Sequence, residues 1–159
     1  MNKLFYPLTV FLLASPLLAA DAYPFAGTWK LNVAKSKFEG PIKPPREQTI
    51  FIQEQGDQAV ETVKGVAADG SPIFERHTHA TTGGEVKVLE GAPPPGISRV
   101  IANRKAHARS SDMRIMRDGK EIATAHDAVS NDGKTIRTTV KGTDDQGKSF
   151  ETVEIWDRM

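Results

Sequence analysis

The residues best suited to chemistry are the four histidines, His77, His79, His107 and His126, and the carboxylates near them. In His77-Thr78-His79 the two imidazoles share one face of an extended strand, about 6.5–7 Å apart. Metal sites use that spacing when a third ligand arrives from elsewhere, and Glu75 or His126 are the candidates for it. His77, His79 and His126 are also the candidate acids or bases of a cofactor-free isomerase, cyclase or lyase. The plainer reading has His77 and His79 facing solvent or bonded to threonines, with no metal and no cofactor. His126-Asp127 is no dyad, because neighbours on a strand point to opposite faces. The G-x-S-x-G signature of a serine nucleophile is absent. Glu61, Glu75, Glu151 and Glu154 are carboxylates able to pair across an interior, or ordinary solvated strand residues.

These groups must be held by strands. Turn signals recur at Gly56, Gly70 and Gly84, and again at Gly119, Gly133 and Gly147, each fourteen residues after the last. That period fits one strand of about eight to ten residues plus a tight turn, and Asp-Gly supplies the positive φ that short hairpins need. The segments between are rich in Thr, Val, Ile and Phe, as in "QTIFIQ" and "SFETVEIW". Ten strands are expected, over 26–32, 47–54, 58–66, 72–81, 85–89, 97–103, 111–117, 120–129, 134–142 and 148–157. The stretch Asn32 to Phe38 has room for one helical turn before Pro41, Pro44 and Pro45. "GAPPPG", Gly91 to Gly96, must be a loop or rim, since prolines cannot donate to a ladder. The fold class is all-β, an antiparallel up-and-down meander, and closing it into a barrel of 8–10 strands removes its two exposed edges. On 134–142, Ile136, Thr138 and Val140 form the inner face. Strands 72–81 and 148–157 mix polar and apolar residues on both faces, which a dry, filled core does not tolerate. A wet or ligand-holding interior does.

Gly27-Thr28-Trp29 after Phe25, followed by "KLNVAKSKF", a Pro-rich stretch and hairpins ending in "DGKTIRTTVKGTDDQGK" and "VEIWDRM", resembles bacterial secreted lipocalin-like proteins of the calycin type. The resemblance implies that Trp29 closes the bottom of a cavity and that a basic residue of the last strand, here Arg158, lies across its ring. It supplies a container without naming the contents.

Residues 1–22 read as a secretory signal, with Lys3, an apolar run from Leu4 to Leu18 broken by Pro7 and Pro16, and small residues to Ala22. Residues 23–159 then form a single lipocalin-like domain with no transmembrane segment, exported to the periplasm or beyond. The 159 residues include no cysteine, so no disulfide forms. A net charge of +1 gives no global pull toward nucleic acid. Seven Lys or Arg between Arg99 and Lys120, against Asp112 and Asp118, make a locally basic stretch. The leading expectation is a monomeric carrier of a small hydrophobic or amphipathic molecule. Its candidate contacts are Trp29, Glu75, Arg76, His77, His79, Arg99, His126 and Trp156, with Arg76 or Arg99 meeting a carboxylate or phosphate. The alternatives are the histidine enzyme and an envelope interaction module working through the Pro loop or the basic stretch beside it.

Overall fold

The computed structural model describes residues 22–92, 97–105 and 107–159. The expected signal segment and the prolines of the Gly91–Gly96 loop lie outside the described residues, Ala22, Gly91 and Ala92 apart.

Asp118 and Gly119 both take positive φ, 50° and 77°. That is the backbone of a type I′ hairpin, whose twist matches the strands it joins. This turn, and others in which a single glycine such as Gly70, Gly133 or Gly147 takes the positive φ, fold the chain into β1 (Gly27–Leu31), β2 (Glu47–Gln55), β3 (Gln58–Val66), β4 (Pro72–Ala80), β5 (Gly83–Glu85), β6 (Lys87–Gly91), β7 (Arg99–Asn103), β8 (Ser110–Arg117), β9 (Lys120–Val129), β10 (Thr135–Thr143) and β11 (Ser149–Arg158). The helix among the described residues is a 3-10 turn, Val33–Lys35. All strands belong to one antiparallel sheet, in the order β5-β7-β8-β9-β10-β11-β1-β2-β3-β4-β6.

The sheet closes on itself through the stretch expected as one strand, 85–89. Its first part, β5, pairs with β7, setting Gly83 against Asn103 and Glu85 against Ile101. Val86 still donates to the Val100 carbonyl at 2.9 Å. From Lys87 on, the chain changes partner and pairs with β4 as β6. One continuous segment therefore spans both edges of the meander, which is why there are eleven strands rather than 8–10. Closure leaves the edge groups far less open to other chains.

Side chains alternate, so each strand sends every second residue inward. Three layers result. At the end carrying the β2–β3 and β9–β10 turns, Tyr23, Phe25, Trp29, Ile52, Ala59, Val129, Ile136 and Trp156 form an apolar floor. At the other end Ala123, Ala125 and Val140 pack with Met113, Ile115 and Phe150. Ile42 joins that upper cluster because the β1–β2 connection runs along β11, with Lys37 bridging Val153 and Thr152 bonded through its hydroxyl to both the amide and the carbonyl of Glu39. Between the two apolar layers lies a polar one.

The floor is pinned from outside. Trp29 is fully buried, and its indole donates to the Phe25 carbonyl at 2.8 Å. The Arg158 guanidinium lies 4.0 Å from its ring centroid, as the resemblance implies, and donates to the carbonyls of Gly133, Ala26 and Pro24. Gly27 sits at φ 133°, where a Cβ would collide with that guanidinium. This is the physical reason for glycine two residues before the tryptophan.

Candidate functional site

Register places the polar layer. Across β8, β9, β10 and β11 the directly opposed residues are Ser111, Asp127, Thr138 and Glu154, four inward polar side chains in one row. On the facing wall Glu61 of β3 stands opposite His77 of β4, with Ala59 opposite His79. Between these walls is a cavity of about 300 Å³. Its polar lining is Glu61, Glu75, His77, His79, Arg104, Ser111, Asp127, Thr138 and Glu154, and its apolar lining includes Val100, Met113, Ile115, Val140 and Trp156.

Glu61 is the hub of one wall. Its two oxygens lie 3.2 Å from His77 Nε2 and 2.9 Å from His79 Nε2. Burial by itself would raise the Glu61 carboxyl, but hydrogen bonds and charge from both imidazoles hold it well below the usual carboxylate range. His77 is likewise disfavoured as a cation by burial, yet Glu61 and then Glu75 raise it above the ordinary histidine value. Its Nδ1 lies 3.2 Å from Glu75 Oε1, within ion-pairing distance but without hydrogen-bond alignment. His79 turns its Nδ1 to the Ala80 carbonyl at 2.9 Å.

The opposite wall is acidic, and among the described residues no cation forms an ion pair with its carboxyl groups. Asp127 accepts from the Thr138 hydroxyl at 2.6 Å, and burial pushes its carboxyl up to about 6. Glu154 is raised to about 7 by burial and then by the charge of Asp127, against a hydrogen bond from the Trp156 indole. Both groups hold a proton more tightly folded than unfolded. The fold therefore loses stability as pH climbs from about 4 through 7, by on the order of 3 kcal/mol for each group. Asp127→Asn with Glu154→Gln should flatten that fall. Urea unfolding at pH 4.5 and 8.5 checks it: the variant gains on the wild type at pH 8.5, and equal slopes would refute the reading.

Arg104 continues the inward parity of Val100 and Ala102 just past β7. Its guanidinium is sandwiched 4.4 and 4.7 Å from the Tyr23 and Phe25 ring centroids, and Nη2 donates to the Tyr23 hydroxyl. Its Nε and Nη1 have no hydrogen-bond partner among the described residues. Burial raises the Tyr23 phenol to about 12, so it stays protonated.

Of the residues expected from sequence, Glu75, His77, His79 and Trp156 line this cavity. Trp29 does not; it lies beneath, against a separate pocket of about 60 Å³. Arg76 falls on the outer, exposed face of β4, because strand parity is fixed by His77 and His79. Arg99 is exposed and pairs with Glu85 at 2.9 Å. His126 is exposed, with Nδ1 2.7 Å from Asp112, so it supplies neither a third ligand nor an interior base. Among the described residues no group of three or more His, Asp or Glu is arranged to hold a metal. Nε2 of His77 and Nε2 of His79 are both engaged by Glu61 instead. The rim of the barrel also carries a shallow groove of about 650 Å³ by Glu121, Ile122 and Phe150, larger than the interior cavity but with no buried ionisable group in it.

A meander closed edge to edge, plugged at one end by the Trp29–Arg158 stack and hollow above it, decides the architecture. It is a lipocalin-like barrel. No family model matches the chain, and no curated protein matches it in sequence. Among solved structures it is similar to lobster apocrustacyanin A1, with a TM-score of 0.46 and 13% identity over 87% of this chain. The match spans 62% of the crustacyanin chain, less than two thirds of it. No helix among the described residues of this lipocalin-like barrel is long and apolar enough to cross a membrane.

Proposed function

We propose that the protein is an exported binding protein, periplasmic or secreted, whose barrel interior holds one small, partly hydrophobic molecule. The observation that carries this reading is the cavity itself: about 300 Å³ inside the sheet, apolar above and polar at mid-height, with buried donors on Arg104 left unpaired among the described residues. A packed core satisfies such donors, because each buried unpaired group costs about 1–3 kcal/mol. Pockets for small ligands start at about this size and combine apolar walls with a few placed polar groups. The leader from Lys3 to Ala22 supports export.

Uptake of the neutral fluorescent probe N-phenyl-1-naphthylamine tests the reading. Ala125 is buried in the cavity wall, so Ala125→Phe should fill the space and weaken uptake at least ten-fold, at a stability cost of about 1–3 kcal/mol. Thr124→Phe, on the outer face of the same strand, should leave it unchanged. Equal uptake by both variants, or none by the wild type, defeats the proposal. The placement of Glu154 beside Asp127 in the buried cavity favours an acid–base enzyme as a second reading, since burial and the Asp127 charge raise its carboxyl to about 7. The histidines favour it less, since His77 and His79 are both tied to Glu61.

A further inference from the structure

The unmet polar capacity of the cavity has both signs. Arg104 is only 7% exposed, forms no ion pair among the described residues, and leaves Nε and Nη1 without acceptors. The facing row offers two carboxyl groups without an ion-pair partner among the described residues: Asp127 bonds to Thr138, and Glu154 lies on the same inward face of β11 as Trp156. A purely anionic guest would satisfy Arg104 but add charge beside the Asp127–Glu154 pair, which has no cation of its own among the described residues. A purely cationic guest would meet the carboxylates and leave the arginine bare. Only a guest carrying both groups satisfies each wall without adding net charge.

Building on the binding function proposed above, we propose that the cavity takes a small zwitterion of amino-acid type, its carboxylate on Arg104, its ammonium on Asp127 and Glu154, and its apolar side chain among Val100, Met113 and Ile115. The volume admits a molecule of roughly a dozen heavy atoms, at the small end of ligand pockets. The neighbourhood of the two charged sites agrees with the size: the Arg104 charge is close enough to Asp127 to lower its carboxyl against burial.

Calorimetric titration at neutral pH with four compounds sharing one ring tests this: phenylalanine, 2-phenylethylamine, 3-phenylpropionic acid and 3-phenylpropan-1-ol. Phenylalanine should bind about ten-fold or more tighter than each of the others, one charge-assisted contact being worth that factor. Arg104→Gln should remove the advantage of phenylalanine over the amine. Asp127→Asn with Glu154→Gln should remove its advantage over the acid, so the test survives if either variant fails to fold. An alcohol, amine or acid that binds as tightly as phenylalanine overturns the zwitterion while leaving the carrier standing. If none of the four binds and N-phenyl-1-naphthylamine is also excluded, the binding function falls with it.

Discussion

Glu61→Ala should destabilise the fold by about 3–5 kcal/mol near pH 6, the loss typical of stripping one partner from a buried ionic cluster. The carboxylate holds both imidazoles at once, and without it His77 keeps only the misaligned Glu75 and His79 only the Ala80 carbonyl. The pH dependence gives the prediction its signature. Glu61 is depressed in the fold, so its contribution is complete above about 4.5 and disappears as pH falls through its lowered value. His77 is raised, so its contribution is complete below about 6.5 and disappears as pH rises through its raised value. The penalty of Glu61→Ala should therefore peak between about pH 4.5 and 6.5 and shrink on either side. Urea unfolding at pH 3, 5.5 and 9 measures it, and a penalty independent of pH would show that Glu61 acts through packing alone.

Trp29→Ala should cost about 3–5 kcal/mol, the range for emptying a large buried aromatic. The effect goes beyond the hole. The small pocket beside Trp29 shares Phe25, Ile50, Glu61, Asp127, Thr138 and Trp156 with the interior cavity above, so losing the indole joins them through the floor. Arg158→Ala keeps the plug but removes the cation over the ring, about 0.5–2 kcal/mol, together with its bonds to three carbonyls. Arg158→Lys should not rescue it, since an ammonium cannot reach Gly133, Ala26 and Pro24 from one planar fork. Thermal unfolding of the three variants ranks them, and a Trp29→Ala protein as stable as the wild type would refute the structural role of the plug.

The strands were legible because hairpin chemistry and alternation are local. Asp118-Gly119 and four of its five companions mark where the chain reverses, whereas Gly83-Gly84 opens β5 and the turn lies just before it at Thr81-Thr82; Ile136, Thr138 and Val140 fix which face of β10 is inner. The change of partner at Val86 was not legible, because it depends on where the meander's far edges meet. The site was read in part. Histidine spacing in β4 correctly paired His77 with His79 on one face, but parity in β9 was assigned to His126 when its neighbour Asp127 points inward. A signal existed: Thr138 is inner, and a tight turn at Asp132-Gly133 sets Asp127 opposite it. Arg104 was hidden in a basic stretch, although it continues the Val100, Ala102 alternation into the interior. Tyr23 and Phe25 precede the first strand, where no periodicity marks them as the platform on which Arg104 stacks.

The most direct test of the carrier account is a nitrogen-15 correlation spectrum of the protein titrated with phenylalanine and with 3-phenylpropan-1-ol. With at least one of them, the Trp156 indole and the amides of Ala102, Ala125 and Thr138 should shift, while Thr124, Thr139 and Phe51 on the outer face stay in place. Shifts confined to the rim groove around Glu121, Ile122 and Phe150, or no shifts with either compound, would contradict a ligand in the barrel interior.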